Sequence, residues 1–204
     1  MEIKIRPIDT ALDAAKHFIQ TVITPPLEQV GGLFADRIKL WRIKNQIDIV
    51  SKAEEFLKKK GLKTKKVSLK VMAPLLEECS LEEDEGLQNK WAALLANTVA
   101  EKSTIQTNIF TSTLKEMTTE DAEVFEIIFY HCTTTEQKDN GNIVIVNRNR
   151  AITQASFDEY PEINLIFENL KRLRLIREIT THGSDQVPVV VSELGLKFMI
   201  ACTP

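Results

Sequence analysis

Uninterrupted apolar runs are short in this chain, Ile127-Ile128-Phe129-Tyr130 and Val189-Val190-Val191 among them, where a membrane-spanning helix needs ~20 apolar residues. A transmembrane segment is therefore not expected. Met1-Glu2-Ile3-Lys4-Ile5-Arg6-Pro7 places charges where a secretory signal would have its apolar core, so a cytoplasmic location is expected. Cysteine is scarce, and Cys79, Cys132 and Cys202 form an odd, widely spaced set without a Cys-x-x-Cys pair, which argues against a disulfide framework and a zinc site. Each is read as a small buried hydrophobe. His17, His131 and His182 are isolated, and none has a second His or Cys one helical turn away. Gly31-Gly32 follows no strand, and Gly-Lys-Ser/Thr does not occur, so a phosphate-binding loop is excluded and close helix packing or a kink is the better reading. No cofactor or metal site is expected.

What is present is a chain of 204 residues, 43% apolar and 27% charged, the balance of a globular protein with a real core. Charge is uneven along it. Residues 1–75 hold 15 Lys+Arg against 8 Asp+Glu, and residues 76–126 hold 3 against 12. Either the two segments complement each other within the fold or the basic one faces an anionic partner. Internal complementarity is the favoured explanation.

Periodicity predicts a helix from Thr10 to about Ile23, ended by Pro25-Pro26. A long amphipathic helix then runs to about Lys60, roughly 50 Å if continuous. Its seam is Leu33, Leu40, Ile43, Ile47, Val50 and Leu57, widened by Phe34, Ile38, Trp41 and Phe56. Its polar side carries Arg37, Lys39, Arg42 and Lys44, a candidate partner or nucleic-acid surface, and its end carries lysines around Gly61, the expected stop. Val67 to Cys79 reads as a helix that starts late or bends at Pro74. In Ser80-Leu81-Glu82-Glu83-Asp84-Glu85, Ser80 and Glu83 fit a capping box, with the carboxylates facing the positive end of the helix dipole. Leu87, Trp91, Leu94, Leu95, Thr98 and Val99 form its buried stripe, with Trp91 as core anchor. A short helix from Thr107 to Met117 completes a helical domain, 1–117.

Residues 118–204 change character. Thr118 and Asp121 give a second capping signal, and Ala122, Phe125, Ile128 and Phe129 mark a helix to about Cys132. Thr133 to Asn142 reads as a polar loop, Ile143 to Val146 as a β-like run and Arg150 to Ser156 as a short helix. Pro161 opens a helix with Ile163, Ile166, Phe167, Leu170 and Leu173 inward. Leu175–Thr180 and Gln186–Val191 read as strands joined through His182-Gly183-Ser184-Asp185, and Ser192 caps a last helix. The expected fold is thus mainly α with a small α+β part: an N-terminal helical bundle including one long helix, then a winged-helix-like domain. Lys171, Arg172 and Arg174 are its candidate contact residues, although the recognition helix mixes charges of both signs and dedicated DNA readers are more basic.

Gly32-Leu33-Phe34-Ala35-Asp36-Arg37-Ile38-Lys39-Leu40-Trp41-Arg42-Ile43-Lys44-Asn45, Val67 to Pro74, Ser80 through Asn97 and Ser192 to Cys202 together resemble the abortive-infection alpha family over most of the chain from about residue 25. The resemblance implies a role in bacterial defence against phage, in which an infected cell stops growing or dies before the phage matures. It supplies no catalytic residues. The consecutive carboxylates Glu82 to Glu85 project around a helix start rather than converge, so an enzyme is not expected. The leading expectation is a non-enzymatic effector acting through protein contacts, with an unidentified protein partner. The alternative is a winged-helix regulator that binds nucleic acid, and the long seam also suits a homo-oligomer.

Overall fold

The computed structural model describes residues 8–24, 40–105, 107–137, 143–147, 152, 154–157, 160–179 and 188–203. Among them the protein is mostly helical, with short two-stranded sheets. It divides into two compact units. The first is Met1–Lys115 with Ala201–Pro204, and the second is Glu116–Ile200.

In the first unit, α1 (Ile8–Val22) buries Ala15, Phe18, Ile19 and Val22. It leads into β1 (Ile23–Thr24), which pairs in parallel with β2 (Val67–Ser68). Helix α2 (Leu40–Lys60) buries Ile47, Ile49, Val50, Ala53 and Leu57 and packs along α4 (Glu85–Val99). The expected stretch of this helix before Leu40, with Arg37 and Lys39, lies outside the described residues. Gly61 stops α2 with φ 61°: its N–H bonds to Lys58 O at 3.1 Å and that of Leu62 to Leu57 O at 3.0 Å, a Schellman closure. Helix α3 (Leu69–Cys79) starts two residues later than expected, because Val67 and Ser68 are taken by β2, and continues through an exposed Pro74. Helix α5 (Thr107–Lys115) packs on α3 and α4 and buries Phe110 and Leu114.

The capping box expected at Ser80 is not formed. Ser80 instead closes α3, where its hydroxyl donates to Glu77 O at 2.6 Å. The N-cap of α4 is Asp84, whose carboxylate accepts from Leu87 N at 2.8 Å. Glu82 Oε1 accepts from the N–H groups of Glu83 and Asp84, each at 3.0 Å, so it shapes the connection before the helix rather than its first turn. From Trp91 to Ala96 every residue of α4 is buried, a wider contact surface than the expected stripe. The helix lies among α2, α3 and α5.

In the second unit, α6 (Thr119–Cys132) starts with the expected box: Thr118 Oγ1 accepts from Asp121 N at 3.1 Å and Asp121 Oδ2 accepts from Thr118 N at 2.8 Å. Residues expected as a polar loop form β3 (Thr133–Gln137), antiparallel to β4 (Ile143–Asn147). The β-branched Thr133-Thr134-Thr135 run supplies the strand propensity. In place of the short helix expected over 150–156, Ile152 makes an antiparallel bridge with Val189 and a 3-10 turn spans Gln154–Phe157. Helix α7 (Ile163–Arg172) buries Ile166, Phe167 and Leu170. β5 (Ile176–Glu178) pairs antiparallel with β6 (Val189–Val191), while the expected turn between them lies outside the described residues. Helix α8 (Glu193–Ala201) is capped by Ser192, whose Oγ accepts from Gly195 N at 2.9 Å. Cys79, Cys132 and Cys202 are all buried, as expected.

Candidate functional site

The cations singled out in the sequence fall into different environments. On α2, Arg42 is half-buried; its Nε donates to Ser80 Oγ at 3.0 Å and its Nη2 to Glu77 O at 3.3 Å. One turn further on, Asn45 Nδ2 donates to Ser80 O at 3.3 Å and Gln46 Nε2 to Leu76 O at 2.8 Å. These three side chains, at helical steps of three and one, meet carbonyls that the end of α3 leaves without helical partners. Arg42 is thus held in a latch between two helices. Lys44 is exposed.

On α7, Lys171 Nζ donates to Glu168 Oε1 at 2.5 Å and to Glu178 Oε1 at 2.8 Å. The hydrogen bonds it donates to Glu168 and then to Glu178 hold its ammonium pKa above the usual lysine value. Arg172 pairs with Glu116, and its Nε and Nη2 reach Asn169 Oδ1 at 3.1 and 2.7 Å. The same Asn169 donates through Nδ2 to Asp121 Oδ2 at 2.7 Å and to Glu116 O at 3.3 Å. Asp121 is buried and also closes the capping box, so one carboxylate ties the start of α6 to α7. Arg174 follows the helix with φ 59°, exposed, and its carbonyl accepts from Ser192 Oγ at 2.5 Å.

Lys171, Arg172, Arg177, Glu168 and Glu178 line one shallow surface hollow with Ile176. The structure therefore brings Lys171 and Arg172 together and surrounds them with carboxylates. Sequence spacing already placed charges of both signs on α7. What it lacked was the long-range partners, Glu116 on one side and Glu178 on the other.

A different surface emerges on α6. The inward phase set by Ala122, Phe125, Ile128 and Phe129 leaves Glu120, Glu123, Ile127 and Tyr130 on the outer side. Ile127 is 40% and Tyr130 64% exposed. The Tyr130 ring stands edge-on to Phe129 with centroids 5.5 Å apart, which steadies it against the helix. This stripe was read in the sequence only as part of an apolar run; projecting the run at 100° per residue separates its inner from its outer members.

Burial raises the thiol pKa of Cys79 and Cys202 far above the usual value, and that of Cys132 less strongly. Groups of three or more His, Cys, Asp or Glu arranged to hold a metal ion do not occur among the described residues. No described helix is long and apolar enough to cross a membrane.

A family model described as abortive infection alpha matches residues 42–202. No curated protein and no solved structure matches the chain.

Proposed function

Since the chain belongs to the abortive-infection alpha family, we propose that it is a non-catalytic effector of bacterial defence against phage that works by binding another protein. The observation that carries the mode of action is the outer stripe of α6. Ile127 and Tyr130 lie exposed one turn apart, bordered by exposed Glu120 and Glu123. Aromatic residues beside an aliphatic one are the composition of an interface centre, and the carboxylates suit a rim. The partner that fits is a protein surface with an apolar patch bordered by lysine or arginine.

The test is phage plating on cells that carry the intact gene, Ile127→Ser/Tyr130→Ser, or Trp91→Ala as an unfolding control. The intact gene is expected to lower plating, and both variants to lose that protection, with only Trp91→Ala losing the folded state. Unchanged plating and cell survival across a broad phage panel would remove the defence role. Protection by a folded double variant equal to that of the intact gene would remove the α6 surface.

The order of elements in the second unit favours a winged-helix reading: α6, Ile152 bridged to β6, the 3-10 turn, α7, then the β5 and β6 pair. A regulator that binds nucleic acid through α7 is the alternative function. Against it stand the internal ion pairs of Lys171 and Arg172. A gel shift across a salt series separates the two readings, because phosphate contacts make nucleic-acid binding strongly salt-dependent.

A further inference from the structure

Lys58, Lys59, Lys60, Lys63 and Lys66 are all exposed within one turn and the segment that follows it, and Leu62, in their midst, is 42% exposed. Lys58 pairs with Glu54 at 3.1 Å. Among the described residues, Lys59, Lys60, Lys63 and Lys66 have no carboxylate partner. Exposed Glu101 lies across from Lys63, and exposed Lys102 follows it directly. The local excess of positive charge is therefore not cancelled.

This segment is also held in place. The Schellman closure fixes Gly61 and Leu62. Beyond it, Lys65 N bonds to Val99 O at 2.7 Å, Glu101 N to Lys63 O at 2.8 Å, and Thr64 bridges Ala100. Lys65 Nζ reaches Ser103 O at 2.5 Å. The lysines thus stand on a backbone pinned on both sides of the turn, so gathering them costs little further ordering on binding.

We infer that the turn Lys58–Lys66 docks on an anionic lipid surface. Its composition selects that partner over nucleic acid. It holds neither arginine, whose fork grips a phosphate in two places, nor an aromatic ring on which a base stacks. It does hold a leucine, which gains from entering the boundary between headgroups and acyl chains but finds nothing apolar on a sugar-phosphate backbone. Clustered lysines at such a surface act as point charges against the negative potential of the leaflet. The turn belongs to the first unit, and this inference is independent of the α6 surface.

Co-sedimentation of the full chain with vesicles tests it. The intact protein is expected to pellet with phosphatidylcholine vesicles that contain phosphatidylglycerol, to stay in solution with phosphatidylcholine alone, and to be released by salt. Each neutralised lysine should weaken partitioning roughly fivefold, and Lys59→Gln/Lys60→Gln/Lys63→Gln about a hundredfold. Leu62→Asn should weaken it up to about tenfold with the salt dependence unchanged. Circular dichroism establishes that each variant is folded, and the comparison of the two lipids needs no variant at all. Equal partitioning into both lipids, none into either, or undiminished binding by a folded triple variant would overturn the inference. So would duplex DNA binding that the triple variant loses while vesicles are ignored, since the turn would then serve nucleic acid.

Discussion

Gly195 has no room for a methyl group: a Cβ there would lie 2.2 Å from Leu175 O. That carbonyl already accepts from Ser192 N at 2.9 Å, so backbone sits against backbone and neither side can yield as a flexible side chain would. Gly195→Ala should cost about 3 kcal/mol, measured by urea denaturation. At the start of α4, Asp84→Ala should cost about 1 kcal/mol through the lost cap, while Glu83→Gln should change stability by under about 0.5 kcal/mol. The capping box expected at Ser80 would require the reverse. Both Ser80 and Asp84 are good cap residues, and the four-residue spacing alone could not rank them. What decides is that Cys79 and Ser80 are drawn into the end of α3, where Arg42 reaches the Ser80 hydroxyl. The buried thiols were legible from their apolar neighbours, and burial raises the pKa of each. Ellman's reagent at mildly alkaline pH should therefore leave Cys79, Cys132 and Cys202 unlabelled in the native protein and label them as it unfolds.

Between elements, the latch from α2 to α3 turns a residue chosen for its charge into one that holds two helices together. Arg42→Glu should destabilise the protein by about 2 kcal/mol, because it removes donors from the α3 carbonyls and brings a negative group to the negative end of that helix. Lys44→Glu, two residues away and exposed, should fall within about 0.5 kcal/mol of the intact protein by the same denaturation measurement. Periodicity identified the apolar side of α2 well, since Ile47, Val50 and Leu57 are buried as expected. It could not show that Arg42, Asn45 and Gln46 face the end of another helix, because carbonyl acceptors carry no side-chain signature. β3 was missed for a related reason. Its Thr133–Gln137 sequence is polar, and its pairing with β4 comes from a neighbouring strand rather than from its own alternation.

For the whole molecule, helices give way to a mixture of helices and short strands along the chain, and nothing in the sequence pattern signalled that the last residues group with the first unit. Asn97 Nδ2 donates to Ala201 O at 2.9 Å, and Cys202 is buried beside it in sequence. Deleting Ala201–Pro204 should therefore weaken the first unit. The two units also divide the chromophores. Trp41 and Trp91 both belong to the first unit, and Tyr130 and Tyr160 both belong to the second. Emission excited in the red edge of tryptophan absorption reports one unit alone, and the tyrosine bands of the derivative ultraviolet spectrum report the other. The order in which the halves melt can thus be followed in an unlabelled sample, and the deletion should shift the tryptophan curve first.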